Sequence, residues 1–309
     1  YLKEAIDADP ENKEFRQEFE RLSELNTLMG KGIRSMKNGD IDNAFESFRI
    51  AYEKFPQYPE SVFNMGLTHF RNKDFSEAVN YFNKTIEINP DHKNALTAIK
   101  NVAKNFFNKG NQLYKRGDLE GALSSYDEVL SVDKTFYQAH FQVGVIQSKM
   151  GNKGRAVESY EKSIAINPQF YKAYFALGLA KNSTNDTAGA LDALQSAIDI
   201  NPSYDKAYGA MGDIYIQQKD YEKAKQTLKM ATTVNPNYSK GYANLGVIFS
   251  EEEDWNQAIS SLEMAVALNA RDSMSYFRLS GAHNLSLIHI SEPTRRRGIA
   301  VCGVWVEKK

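Results

Sequence analysis

Five histidines, His69, His92, His140, His283 and His289, are the side chains here that could ligate a metal or carry a proton near neutral pH. A metal site needs several such ligands together, often two of them at i and i+4 on one helix. No two of these histidines have that spacing, and none has acidic partners at ligand spacing. The run Glu251-Glu252-Glu253-Asp254 reads as a solvated turn that ends in a helix cap. There is no phosphate loop, dinucleotide fingerprint or Gly-x-Ser-x-Gly elbow. The one cysteine is Cys302, so the first 284 residues hold no disulfide and no thiol nucleophile. No catalysis, metal or cofactor is expected. What remains is the chemistry of recognition, carried by aromatic rings, amides and lysines that recur along the chain.

They recur because the chain is an array. Ala44, Ala78, Ala122, Ala156, Ala190, Ala224 and Ala258 follow one another at intervals of 34 residues, with one interval of 44. With each alanine numbered position 20 of its unit, position 8 is always glycine: Gly32, Gly66, Gly110, Gly144, Gly178, Gly212 and Gly246. Position 16 is always a capping residue, Asp40, Asp74, Asp118, Asn152, Asp186, Asp220 or Asp254. Asn-Pro closes four units, at Asn89, Asn167, Asn201 and Asn235. A fixed period of this length marks a solenoid of helix pairs.

Positions 4, 7, 8 and 11 share one face of a first helix, as in Tyr208, Met211, Gly212 and Tyr215. Glycine costs about 1 kcal/mol inside a helix, so seven at one position imply that the backbone of a second helix comes close. That second helix starts at the position-16 cap and carries a large residue at position 24: Phe48, Phe82, Tyr126, Tyr160, Leu194, Leu228 or Leu262. Each hairpin leaves an apolar face that the next one covers, so the array is stable as a stack. Extra residues enter at about 13–24 and 93–102 without proline or glycine, and apolar stripes continue through both. Continuous helices are therefore expected over 13–37 and 93–115. Their added turns either pack on the preceding helix or form a ridge for docking or self-association.

The period, the glycine and alanine positions and the closing Asn-Pro resemble the tetratricopeptide repeat family over residues 1–284. The resemblance implies an all-α, right-handed superhelical solenoid of antiparallel helix pairs, with seven complete repeats and a partial eighth over 13–284. It also implies a concave groove lined by positions 2, 5, 6, 9, 12 and 13 of the first helices, which holds segments of partner proteins. Those positions carry Phe63, Phe107, Phe141 and Phe175 at 5, and Asn64, Asn108, Gln142 and Asn244 at 6. Asn111 stands at 9, Tyr114 at 12, and Lys172, Lys206 and Lys240 at 2. Phenylalanine supplies contact area and asparagine can bracket a peptide backbone whatever its side chains. The amides, Asn108 and Asn111 among them, are expected to be solvent-accessible.

The family's clamp for acidic C-termini needs Lys, Asn, Asn, Lys and Arg at fixed positions of three successive units. The best window here offers Phe107, Asn111, Gln142, Lys172 and Ala176, a match at two, which argues against the clamp. Similar position-6 asparagines occur in the repeats of the O-linked N-acetylglucosamine transferases, so a repeat region of a larger enzyme or signalling protein is an alternative. A self-associating structural array is another.

Residues 1–12 read as the last third of a truncated repeat, and 285–309 resemble a translated sequencing adapter, with order expected to end near Asn284. That tail holds Cys302, Trp305, five Arg or Lys and two Glu, and without it the net charge is −4. Neither nucleic acid nor membrane insertion is expected: the Arg295-Arg296-Arg297 run falls in the tail, and no stretch of 18 apolar residues occurs. Other proteins are the expected partners.

Overall fold

A computed structural model describes residues 8, 9 and 11–287. The expectations for residues 1–7 and for the tail from 288 lie outside the described residues. All regular elements among the described residues are helical. They are α1 (Lys13–Lys37), α2 (Ile41–Lys54), α3 (Pro59–Arg71), α4 (Phe75–Ile88), α5 (Lys93–Arg116), α6 (Leu119–Val132) and α7 (Tyr137–Lys149). There follow α8 (Lys153–Ile166), α9 (Tyr171–Ser183), α10 (Thr187–Ile200), α11 (Asp205–Gln217), α12 (Tyr221–Val234), α13 (Ser239–Glu251), α14 (Trp255–Leu268) and α15 (273–287). The chain forms two compact units, Tyr1–Ala139 and His140–Lys309. Each is a run of antiparallel helix pairs, the architecture of an all-α solenoid.

Within every hairpin the position-20 alanine is fully buried and the position-8 glycine faces position 24. A Cβ added at any of the seven glycines would lie 2.5–2.7 Å from that side chain, Phe48 for Gly32 through Leu262 for Gly246. This corrects the expected reason for the glycines. The first atoms they make room for are the tip of a side chain on the second helix; its backbone is among the nearest neighbours at Gly178 and Gly246, through the carbonyls of Ala190 and Ala258. Full burial of such a side chain contributes about 1.5–3 kcal/mol, which outweighs glycine's helix cost.

The turn between the helices is equally regular. Position 15 takes the left-handed backbone conformation each time, as Gly39, Gly117 and Gly151 but also as Lys73, Asn185, Lys219 and Glu253, with φ between 59° and 86°. The carboxylates of Asp40, Asp118, Asp186, Asp220 and Asp254 then accept from the N–H three residues on. Asp74 and Asn152 make no such cap. Each is drawn to the position-11 side chain, Asp74 to His69 Nδ1 at 3.1 Å and Asn152 to Gln147 Oε1 at 2.9 Å.

The two long helices differ in what their added turns do. In α5 the added turns bury Ala95 and Val102 against Ala78, Val79 and Phe82 of the first unit's core, so this extension packs on the preceding helix. In α1 the added turns leave Phe15, Phe19 and Leu22 about 40% exposed.

Candidate functional site

The phenylalanine row is half-buried, and each ring has two aromatic neighbours or one inside its own unit. Phe63 lies 5.6 Å from Phe82 and 5.0 Å from His92, and Phe107 lies 5.5 Å from Tyr126 and 5.0 Å from Phe136. In the second unit Phe141 meets Tyr160 and Phe170 at 5.7 and 5.1 Å, and Phe175 meets Tyr204 at 5.2 Å. The partners are the position-24 residue of the second helix and the ring at position 34 that closes the hairpin. Such contacts contribute about 0.5–1.5 kcal/mol beyond burial. Much of each ring is thus spent on the hairpin, and the rest is exposed. The position-34 rings, Tyr58, His92, Phe136, Phe170, Tyr204 and Tyr238, recur in the first six units, and the seventh has Asp272 there. They were the missed signal in the sequence.

The amides divide into committed and free. Asn64 Nδ2 donates to the Glu60 carbonyl of its own helix at 2.7 Å. Asn111 is half-buried and its Oδ1 accepts from the Tyr126 hydroxyl at 2.7 Å, because position 9 of α5 lies directly over the buried ring of α6. Asn244 donates to Asp213 Oδ1, and Lys240 Nζ holds the other oxygen of that carboxylate at 2.6 Å. Asn64, Asn111 and Asn244 are half-buried and each spends part of its amide on a partner within the chain. Asn108 is exposed, and neither its amide nor that of half-buried Gln142 has a hydrogen-bond partner among the described residues. Tyr114 is half-buried on the same helix as Asn108. Lys172 and Lys206 are exposed, Lys172 with its ammonium 5.9 Å from the Tyr171 ring.

Burial, with Tyr114 nearby, pushes the Tyr126 hydroxyl up to about 12; burial together with Asp213 and Asp205 does the same for Tyr238. Both phenols are thereby kept neutral, and that of Tyr126 donates to Asn111. The histidines have structural places. His69 stacks on Tyr81 at 5.2 Å, and His92 is buried, its Nδ1 accepting from the Ala95 N–H to cap α5. Among the described residues no group of three His, Cys, Asp or Glu could hold a metal ion, and no helix is long and apolar enough to cross a membrane.

Family models described as tetratricopeptide repeat match residues 59–92, 137–170, 183–246 and 242–273, and one described as TPR repeat matches 110–151. A TPR repeat-containing protein of Methanocaldococcus jannaschii is 26% identical over 162 residues, 40% of this chain and 29% of that protein. Photosystem I assembly protein Ycf3 of Cyanophora paradoxa is 26% identical over 88 residues, 28% of this chain and 49% of that one. The chain thus spans less than half the length of either relative. Among solved structures, MamA from Desulfovibrio magneticus RS-1 superposes with a TM-score of 0.50 at 23% identity, over 55% of this chain and 97% of that one. The Cut9–Hcn1 hetero-tetramer of APC/C gives 0.50 at 16% identity, over 91% and 51%. These likenesses concern the fold.

Proposed function

Because the chain belongs to the tetratricopeptide repeat family, we propose that it is a non-catalytic protein-interaction scaffold whose first helices take extended segments of partner proteins. The observation that carries this reading is the free amide of Asn108, exposed beside the half-buried Phe107 and one turn from the exposed Lys104. An amide with no internal partner can both donate to and accept from a peptide backbone, while the ring edge beside it offers apolar area. Gln142 repeats the arrangement beside Phe141. Lys172 and Lys206 add positive charge in the second unit, which favours segments that carry some acidic residues.

The test is selection of a displayed library of random dodecapeptides on the chain, followed by fluorescence anisotropy of the selected peptides. Asn108→Ala and Gln142→Ala together should weaken them at least fivefold at an unchanged thermal midpoint. Peptides indifferent to both changes would refute the reading. A second reading, self-association, is favoured by the exposed Phe15, Phe19 and Leu22 of α1. Light scattering of the chain and of its Phe15→Ser, Phe19→Ser form separates the two: a dimer that the double change dissolves supports the second.

A further inference from the structure

Helix α5 carries six cations, Lys93, Lys100, Lys104, Lys109, Lys115 and Arg116, and no carboxylate, whereas the similarly long α1 sets four glutamates among its cations. Part of this charge has a structural account. Lys109 meets Glu128 at 3.5 Å, and Lys115 and Arg116 stand in the last turn, where cations complement the helix dipole. Lys93, Lys100 and Lys104 have no such account. All three are exposed, without a carboxylate partner among the described residues. Lys93 opens the helix, at the end where a cation is disfavoured, and Lys100 and Lys104 are like charges one turn apart, a destabilising spacing. At about 100° per residue the three fall within about 40° of one another, on the side opposite the buried Ala95, Val102 and Phe106. Leu96, 41% exposed, flanks them.

We infer that this row is a docking surface for an acidic segment of a partner protein, laid along α5 with an apolar side chain on Leu96, between Lys93 and Lys100. Carboxylates there would neutralise charge that the fold leaves uncompensated. The spacing sets the ligand: along the helix axis Lys93 and Lys100 are about 10 Å apart and Lys100 and Lys104 about 6 Å, which an extended chain spans with about three and two residues. A nucleic acid fits less well. The row is lysine, which lacks the bidentate grip of arginine on phosphate, and the chain without its tail carries a net charge of −4, which repels a long polyanion once it leaves the row. The surface rests on the reading that partner segments bind this chain, and two of its three lysines, Lys93 and Lys100, lie in the added turns of α5, outside the repeating positions.

The probe is the fluorescein-labelled, amidated peptide Gly-Glu-Leu-Ala-Glu-Ala-Glu-Gly, whose anisotropy is followed as the chain is added. Binding should saturate, and should weaken at least fivefold when sodium chloride rises from about 50 to about 300 mM. Lys93→Gln, Lys100→Gln and Lys104→Gln together should weaken it at least tenfold with no loss of thermal midpoint. Lys31→Gln, Lys162→Gln and Lys229→Gln together remove the same charge from exposed sites elsewhere and should change it less than twofold. Gln in place of the three Glu of the peptide should abolish binding, and Ser in place of its Leu should weaken it at least threefold. Absence of saturable binding, or equal binding by the two triple variants, overturns the proposal. A labelled thymidylate dodecamer that binds more tightly than the peptide, and is lost with the same three lysines, overturns the choice of partner. Failure here while Asn108→Ala and Gln142→Ala still weaken selected dodecapeptides removes this surface alone.

Discussion

The phenol of Tyr238 fills the space that a side chain at Gly209 would need, so that a Cβ there would run into its hydroxyl oxygen. In the four units before it, position 5 is phenylalanine and the position-34 ring leans against it. At Gly209 the phenylalanine is gone and the closing ring has taken its volume. Gly209→Ala should therefore destabilise the chain by about 1–3 kcal/mol through overpacking. In the Tyr238→Ala background the same change should cost less, because the obstacle has been removed. Urea melts of the double-mutant cycle check this, and additive effects would disprove the contact.

Asn108 and Asn111 are one helical turn apart and should behave differently. Asn108→Ala should change stability by no more than about 0.5 kcal/mol, as at an ordinary surface position. Asn111→Ala strands the buried hydroxyl of Tyr126 and should cost about 1–3 kcal/mol, whereas Tyr126→Phe should cost about 0.5–1.5 kcal/mol. Equal urea midpoints for the two alanine variants would show that the Tyr126 hydroxyl finds another partner.

That pair marks how far the sequence could be read. The seam was legible because glycine, alanine and a large residue at fixed positions answer one steric question, which period and residue type together resolve. The caps were legible in five units. In the other two, His69 and Gln147 compete for the capping side chain, and no single-position rule anticipates a competitor five residues upstream. The candidate face was legible as a list of positions but not as a list of free groups. Whether an asparagine is available depends on what stands across the hairpin, such as Tyr126 over Asn111 or Asp213 beside Asn244.

Position 15 offers a stabilising change. A left-handed backbone costs a side-chain-bearing residue roughly 1–2 kcal/mol, and glycine gives some of this back through the greater freedom of its unfolded chain. Lys219→Gly, at φ 60°, should gain about 0.5–1 kcal/mol, and Gly39→Ala, at φ 81°, should lose a similar amount. Thermal melts with the opposite order would refute the strain argument.

Alkaline stability should depend on the two raised phenols. Tyrosine in the unfolded chain titrates near 10, whereas Tyr126 and Tyr238 are pushed up to about 12 in the fold. Between those values the unfolded chain has released protons that the folded chain keeps, so stability falls as pH rises. Below pH 10 the contribution is fully present, and by pH 12 it is lost. Tyr238→Phe should flatten the decline in urea midpoint across this window, and an unchanged slope would show that Tyr238 ionises as freely folded as unfolded.

The pairing of position 8 with position 24 has a consequence for how such a chain can grow or shrink. Glycine and the large residue it accommodates belong to the same 34-residue segment, Gly212 with Leu228 as Gly66 with Phe82. Lock and key are thus inherited together. Excising residues 205–238 removes one matched pair whole and leaves every other hairpin with its own partner, and duplicating the segment adds a pair already fitted. Aromatic keys in the earlier hairpins and leucine keys in the later ones can coexist, because neither has to fit a glycine in another copy. Novelty at the joints is confined to the surfaces between successive hairpins, which is where a rearranged descendant of this array would have to adapt.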